Sequence, residues 1–403
     1  MLKTDILVNV TDRVIVGLAT TVTPYYRTRG CPLLRNLNIK KGYLDDSDIL
    51  YLDEDFSNSQ NSKKVKENDV LVVHTGSNLG KACLVPKKYN DSLTFTTLVI
   101  TTKKDILDPM YLMYYINSKY GVNEINLLKS GGAKSNLNTR DMINFEIVYP
   151  VNRKEQKFIA CSLYDIDNLI KSLQMLINKK NKLFETVKQD LLNGIKRYGE
   201  WKNVKIGDIG FFDGNGVDKK TNEKERKVRL LNYMDIMHNN FIYDDISKHF
   251  VTASDEKYKK CLVKKGDIFL TPSSETREDI GVSAVAFEDS DDLVYSYHIV
   301  RFRPIIDMDM KFRAYLFQNK KFLNQASKYC EGSGKRYVCS NKKFASFELE
   351  IPIDINEQAE IGRILYDMES EINALREKLL KYQNIKDGMM NDLLTGKVRL
   401  SYE

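Results

Sequence analysis

Two pairs of glycine-bearing loops carry the side chains best suited to chemistry in this chain. The first pair is TGSNLGK at 75–81, with Ser77, Asn78 and Lys81, and SSETREDIG at 273–281, with Ser274, Thr276 and Arg277. The second pair is KSGGAKSN at 129–136, with Lys134, Ser135 and Asn136, and EGSGKRY at 331–337, with Lys335, Arg336 and Tyr337. Arg, Lys, Asn and Ser hydrogen-bond base edges and phosphates, and glycines let a backbone come close. The chemistry implied is recognition of nucleic acid rather than the making or breaking of bonds. A solvated Gly-rich turn accounts for any single one of these residues equally well, because most protein–DNA hydrogen bonds only position the backbone.

Catalytic signatures are weaker. DPMY at 108–111 is close to the DPPY motif of amino-methyltransferases, but Asp as N-cap and Pro at the first helical position explain it structurally. FFDGNG at 211–216 looks like an S-adenosylmethionine loop, yet no alternating strand–helix series follows it. GSGKR (332–336) and GGAKS (131–135) lack the glycine spacing of a phosphate cradle. The histidines at 74, 238, 249 and 298 have no ligand spacing, and the six cysteines form no CxxC pair. We expect no catalytic site, no cofactor and no metal. Scattered thiols suit a cytoplasmic protein, and the N-terminus lacks the apolar core of a signal peptide. No stretch approaches the length of a membrane span. The net charge of +7 is only a weak pointer to nucleic acid.

The elements that must position these loops are two long helices. Residues 153–197 contain no proline, and their apolar residues keep a seven-residue period. Ile159, Ile166, Leu173 and Val187 share one heptad position; Leu163, Ile170, Ile177, Phe184 and Leu191 share the other, with Lys180 as a polar interruption. Such a helix spans ~60 Å at about 1.5 Å per residue. The run recurs at 355–399, where one position holds Ile361, Met368, Leu375, Tyr382 and Met389 and the other Leu365, Ile372, Leu379, Lys386 and Leu393. Two helices that each need an apolar partner most simply pair with each other. Lys171, Lys179, Lys180, Lys182 and Lys188 read as an ordinary solvated face, with spacer phosphates as the alternative.

The segments between the helices repeat as well. LLRNLNI (33–39) matches LLNYMDI (230–236), VKENDVLV (65–72) matches VKKGDIFL (263–270), and FEIVYP (145–150) matches FELEIP (347–352). Expected strands are 33–39, 69–73, 82–85 and 95–100, and a helix over 108–119 corresponds to 309–320. WKNVKIGDIG (201–210) has no clear counterpart near residue 1, which predicts a first copy that is shortened or diverged there. The expected plan is mixed α/β, with domains at 1–152 and 198–354 and helices at 153–197 and 355–403. An antiparallel helix pair would relate the domains by an approximate twofold, a symmetry shared by duplex DNA.

At this point the chain resembles the DNA-specificity subunit of a Type I restriction–modification system. The matching residues are the EQxxI helix entries (Glu155 to Ile159, Glu357 to Ile361), the DLL-x-G exits (Asp190 to Gly194, Asp392 to Gly396) and the WKNVKIGDIG opening. The resemblance implies two target recognition domains, each reading one half of a split sequence in double-stranded DNA, with the paired helices as a ruler. It also implies two adenine-N6 methyltransferase subunits and translocase–nuclease restriction subunits as partners, and no catalysis by this chain alone. The double proline common before the helices in that family is absent from YPVNRK and IPIDIN. Competing functions are a protein-binding coiled-coil scaffold and a self-sufficient methyltransferase.

Overall fold

The computed structural model describes residues 1–129 and 136–399. The chain divides into two compact units. One comprises Met1–Gln174 with the C-terminal segment from Glu377, and the other Met175–Arg376.

The first unit is built around the strand Val70–Val73, in which every residue is buried. Side chains alternate between the faces of a strand, so an unbroken apolar run means that both faces are covered. Val70 and Val72 enter a cluster with Leu112, Ile116 and Phe145, whereas Leu71 and Val73 enter another with Leu34, Ile39 and Val99. The strand is third in an antiparallel sheet ordered Thr11–Val16, Thr97–Thr102, Val70–Val73, Ala82–Leu84. A second sheet runs Tyr26–Arg27, Leu50–Leu52, Cys31–Arg35, Leu93–Phe95.

The second unit repeats this plan. Ile268 and Leu270 face one cluster while Phe269 faces another. Its larger sheet is ordered Gly210–Asp213, Val300–Pro304, Ile268–Leu270, Ser283–Ala286, Phe241–Ile242. The smaller sheet is Phe250–Ala253, Arg226–Leu231, Leu293–Tyr295. Burying each Leu, Ile or Phe of these cores contributes about 1.5–3 kcal/mol relative to exposure.

Several sequence expectations need correction. The opening of the first copy is diverged rather than shortened. Leu2–Ile6 pairs antiparallel with Glu146–Pro150, as Trp201–Lys205 pairs with Glu348–Pro352, with Leu2 opposite Pro150 and Trp201 opposite Pro352. The next residue follows suit: Leu7 N–H donates to the Phe145 carbonyl and Ile206 N–H to that of Phe347, both at 2.9 Å. Only a lysine is shared between LKTDI and WKNVK, because an edge strand with half-exposed positions constrains its sequence little. The strand expected over 33–39 ends at Arg35, since Asn38 folds back to accept the Arg35 N–H and form a turn of 3₁₀ helix. The helix expected over 108–119 ends at Asn117, and Lys119–Lys129 is a separate helix.

The long helices run Arg153–Leu192 and Ile355–Leu393. Each stops just before a glycine in the left-handed region, Gly194 at φ 66° and Gly396 at φ 68°, where a Cβ would strain the backbone. Their entries explain the EQ pairs. The Gln156 amide donates to the Pro150 carbonyl at 2.8 Å and accepts the Asp108 N–H at 2.7 Å. Gln358 does the same with Pro352 (2.9 Å) and Asp309 (3.1 Å). Each glutamine thus ties together a strand end, a helix cap and a long helix. Asp108 caps its helix by accepting the Met110 and Tyr111 N–H groups, which is the structural role of DPMY.

The helices pack against each other antiparallel. Within the first unit Ile159, Ala160 and Leu163 share a cluster with Met390, Leu393 and Leu394. Lys386, a polar seam position, pairs there with Asp167, and Arg399 forks onto the buried Glu155. Within the second unit Phe184, Leu191 and Leu192 share a cluster with Ile361, Leu365 and Ile372, and Lys180 pairs with Glu371. Ile166, Leu173 and Ile177 are buried, whereas Ile170, Leu375 and Leu379 are half-buried. Lys188 is not on a solvated face. It is 8% exposed, bonded to Glu185 and Gln318, with its ammonium over the Phe184 ring.

Candidate nucleic-acid interface

The two loop sets meet in each unit. In the second unit, Ser273 and Ser274 pair as a strand with Val338 and Tyr337, and the Cys339 N–H donates to the Pro272 carbonyl at 2.8 Å. Residues Glu331–Ser333 and Arg336–Val338 form a hairpin, which adds its second strand to this small sheet. In the first unit the corresponding contacts are a bridge from Thr75 to Asn136 and a bond from the Leu137 N–H to the His74 carbonyl at 2.9 Å. The same register joins loops that lie some sixty residues apart in either copy.

Within the second unit Lys335 and Arg336 stand exposed near the hairpin tip, and Arg336 Nη2 donates to Ser273 Oγ at 2.9 Å. Ser274 and Thr276 are tied to Asp279, at 3.2 and 2.6 Å. Arg277 turns inward: it donates to the Ser327 carbonyl at 3.1 Å and stacks its guanidinium over the half-buried Tyr337 ring at 4.5 Å. Lys335 and Arg336 are therefore the cations presented outward, while Arg277 and Tyr337 brace the hairpin from behind. In the first unit Ser77 is exposed, and Lys81 Nζ donates to Asn78 Oδ1 at 2.7 Å. Asn136 is exposed at the bridge, and Lys134 and Ser135 lie outside the described residues. Burial holds His74, at the foot of this loop, below the ordinary imidazole range.

Sequence reasoning missed a third wall. The short helix Tyr233–His238 faces Ser273, Ser274, Thr276, Lys335 and Arg336 across a groove of about 540 Å³, and Met234 on it is 55% exposed. In the first unit the corresponding turn offers Asn36, whose amide donates to Thr75 Oγ1 at 2.9 Å and Thr96 Oγ1 at 3.3 Å. The signal was present: Asn36 and Tyr233 fall inside the matched LLRNLNI and LLNYMDI runs, where a polar residue interrupts the strand pattern. The groove sets the Lys335 and Arg336 cations and the Ser and Thr hydroxyls beside an apolar patch, with Glu275 and Asp279 also in its lining. Among the described residues no group of His, Cys, Asp or Glu is placed to hold a metal ion, and no helix is long and apolar enough to cross a membrane.

The family model for the Type I restriction modification DNA specificity domain matches residues 28–181 and again 198–382. The MjaVIII specificity subunit of a Type I restriction enzyme from Methanocaldococcus jannaschii is 27% identical over 358 residues, covering 83% of this chain and 80% of that protein. The EcoKI specificity subunit of Escherichia coli is 21% identical over 399 residues, covering 93% and 84%. Among solved structures, the Type I restriction–modification S subunit from M. genitalium superposes with a TM-score of 0.61 at 15% identity, covering 100% of this chain and 97% of that one. A chain from a structural study of complex assembly and conformational transition in a type I R-M system gives 0.58 at 14% identity, covering 98% and 97%. With two matched domains, two equivalent loop sites and two long helices that pack together, the chain belongs to the Type I restriction modification DNA specificity domain family, as a specificity subunit.

Proposed function

We propose that each unit reads one half-site of a bipartite duplex target. On this reading the chain is not itself catalytic. It docks adenine-N6 methyltransferase and restriction subunits in the cytoplasm, and its paired helices set the spacer. The observation that carries the reading is the repeated loop junction with unlike tips. Thr75–Asn136 and Ser273–Val338 hold the same place in each fold, yet the paired loops differ in sequence, Ser77, Asn78 and Lys81 against Ser274, Thr276 and Arg277, and Lys134, Ser135 and Asn136 against Lys335, Arg336 and Tyr337. A constant scaffold with different tips suits two different half-sites. An Arg fork matches guanine O6 and N7, Asn matches adenine N6 and N7, and Lys supplies a point charge to phosphate. Glycines beside the tips, such as Gly76 with φ 81° and open space around it, let the backbone approach the duplex. The test is methylome sequencing of a host that expresses this chain with its neighbouring methyltransferase. A split methylated-adenine motif is expected; a single contiguous motif would overturn the reading.

A further inference from the structure

Near the hairpin, two further segments of the second unit bring basic side chains together. Val217 donates its N–H to the Tyr295 carbonyl at 2.8 Å, and Tyr297 donates to the Val217 carbonyl at 3.1 Å. A Cβ on Gly216 would stand 2.3 Å from the Ser296 carbonyl carbon, so the two backbones touch. The exposed Lys219 lies two residues beyond this contact, and its charge acts on the His298 imidazole. Tyr297, 49% exposed, lies tilted at 36° against the His298 ring with centroids 3.9 Å apart. Arg336 comes from the hairpin, held there by Ser273.

The first unit has the same backbone contact without the charges. Leu18 donates to the Thr94 carbonyl at 2.7 Å, and Thr96 donates to the Leu18 carbonyl at 2.9 Å. The residues that follow Leu18 are Ala19 and Thr20. Between Thr94 and Leu98 stand Phe95, Thr96 and Thr97, whereas Ser296, Tyr297, His298 and Ile299 stand between Tyr295 and Val300. The second unit is longer at this point, and there it carries an aromatic ring and an imidazole.

An imidazole against an exposed tyrosine ring, with a lysine on the neighbouring segment, fits a nucleic-acid backbone, with an anionic oxygen beside an apolar sugar edge. We propose that Lys219 and His298 grip a phosphate of the duplex next to the half-site read by the second unit, with Tyr297 packed on the adjoining sugar. This inference rests on the hairpin being a DNA contact, and it makes the two recognition units unequal in their grip on the backbone. Burial, and then Lys219 and Arg336, hold His298 below the ordinary imidazole range, with Asp218 opposing them. In the free chain the ring is therefore neutral at pH 7. A phosphate between Lys219 and His298 favours the imidazolium, so binding takes up a proton and tightens as the pH falls from 8 to 6 (pH values of the assay).

The experiment measures affinity of the full chain for target and random duplex across salt and pH. His298→Gln should weaken both duplexes alike and cancel the tightening at low pH. It should also reduce the slope of log affinity against log salt by about 0.9, roughly threefold in affinity between ~50 and ~200 mM salt. His298→Lys keeps a fixed cation: it should retain the salt slope and lose only the pH dependence. If both variants match the parent in slope and pH profile while Lys335→Ala weakens binding, the phosphate grip is wrong and the hairpin reading stands. If Lys335→Ala is also without effect, the hairpin reading itself fails and takes this inference with it.

Discussion

The Tyr315 hydroxyl donates to Glu369 at 2.6 Å, joining the globular part of the second unit to its long helix. Its counterpart in the first unit, Tyr114, donates to Asp167 at 2.8 Å. Both tyrosines are buried, and both phenols are held well above their ordinary range, chiefly by burial and then by the carboxylate. The phenol therefore stays a donor at any working pH. Tyr315→Phe should destabilise the second unit by about 1–3 kcal/mol, the loss of a hydrogen bond to the half-buried Glu369 carboxylate. Asn240 still donates to Glu369 at 2.7 Å, which places the expectation toward the lower end. Denaturant unfolding measures this; an unchanged midpoint would mean the bond does not hold helix to domain.

The EQ glutamines make a second test. Gln156→Ala leaves the Pro150 carbonyl and the Asp108 N–H without the partner that now serves both. The expected loss is about 1–3 kcal/mol per buried group. Gln156→Glu should be little better, because a carboxylate cannot donate to the carbonyl. Comparison with Gln358→Ala should give a similar loss in the second unit, and a large difference between the two would contradict their equivalence.

The helix seam grades its own substitutions. Leu365 is fully buried, whereas Leu375 is half-buried. Leu365→Asp places a carboxylate in a cluster with Phe184 and Leu191, at a cost of several kcal/mol or loss of soluble protein. Leu375→Asp should be tolerated far better. Soluble yield and thermal midpoint check the order, and the reverse order would mean that the helices pack through other positions.

Thiol reactivity gives a pH test. Burial pushes Cys83 up to about 12, and burial with the nearby Cys330 does the same for Cys339. Both stay protonated at pH 8 and should resist a thiolate-directed reagent in the folded chain, while the half-buried Cys31 and Cys161 react first. The sign for stability follows. Above the ordinary thiol value of 9.0 the unfolded chain releases these protons and the folded chain keeps them, so stability falls with pH from about 9 to 12. Fast labelling of Cys83 at pH 8 would contradict its burial.

The long helices, the repeat and the strand Val70–Val73 were legible because periodicity and unbroken apolar runs survive one-dimensional reading. The edge strand Leu2–Ile6 was not, because its partner Glu146–Pro150 is distant and its own residues are half-exposed. Site residues were legible by type but not by posture. Arg277 and Arg336 looked alike in sequence, yet one is drawn inward by Ser327 and Cys330 and the other stands out in solvent. Lys188 misled for the same reason: a lysine in a helical charge run buries its stem when an aromatic ring and two acceptors wait beneath it. The turn at Asn36 was hidden inside a run that matched its repeat too well to suggest a loop.

The central claim is that each unit reads its own half-site, and methylome sequencing of hosts carrying the parent or the Lys335→Ala, Arg336→Ala double variant tests it most directly. A good bidentate base contact contributes about 1–3 kcal/mol of discrimination, so its loss relaxes a base position by tenfold or more. The variant should keep one half of the split motif unchanged and relax the other. Equal relaxation of both halves would contradict the central claim.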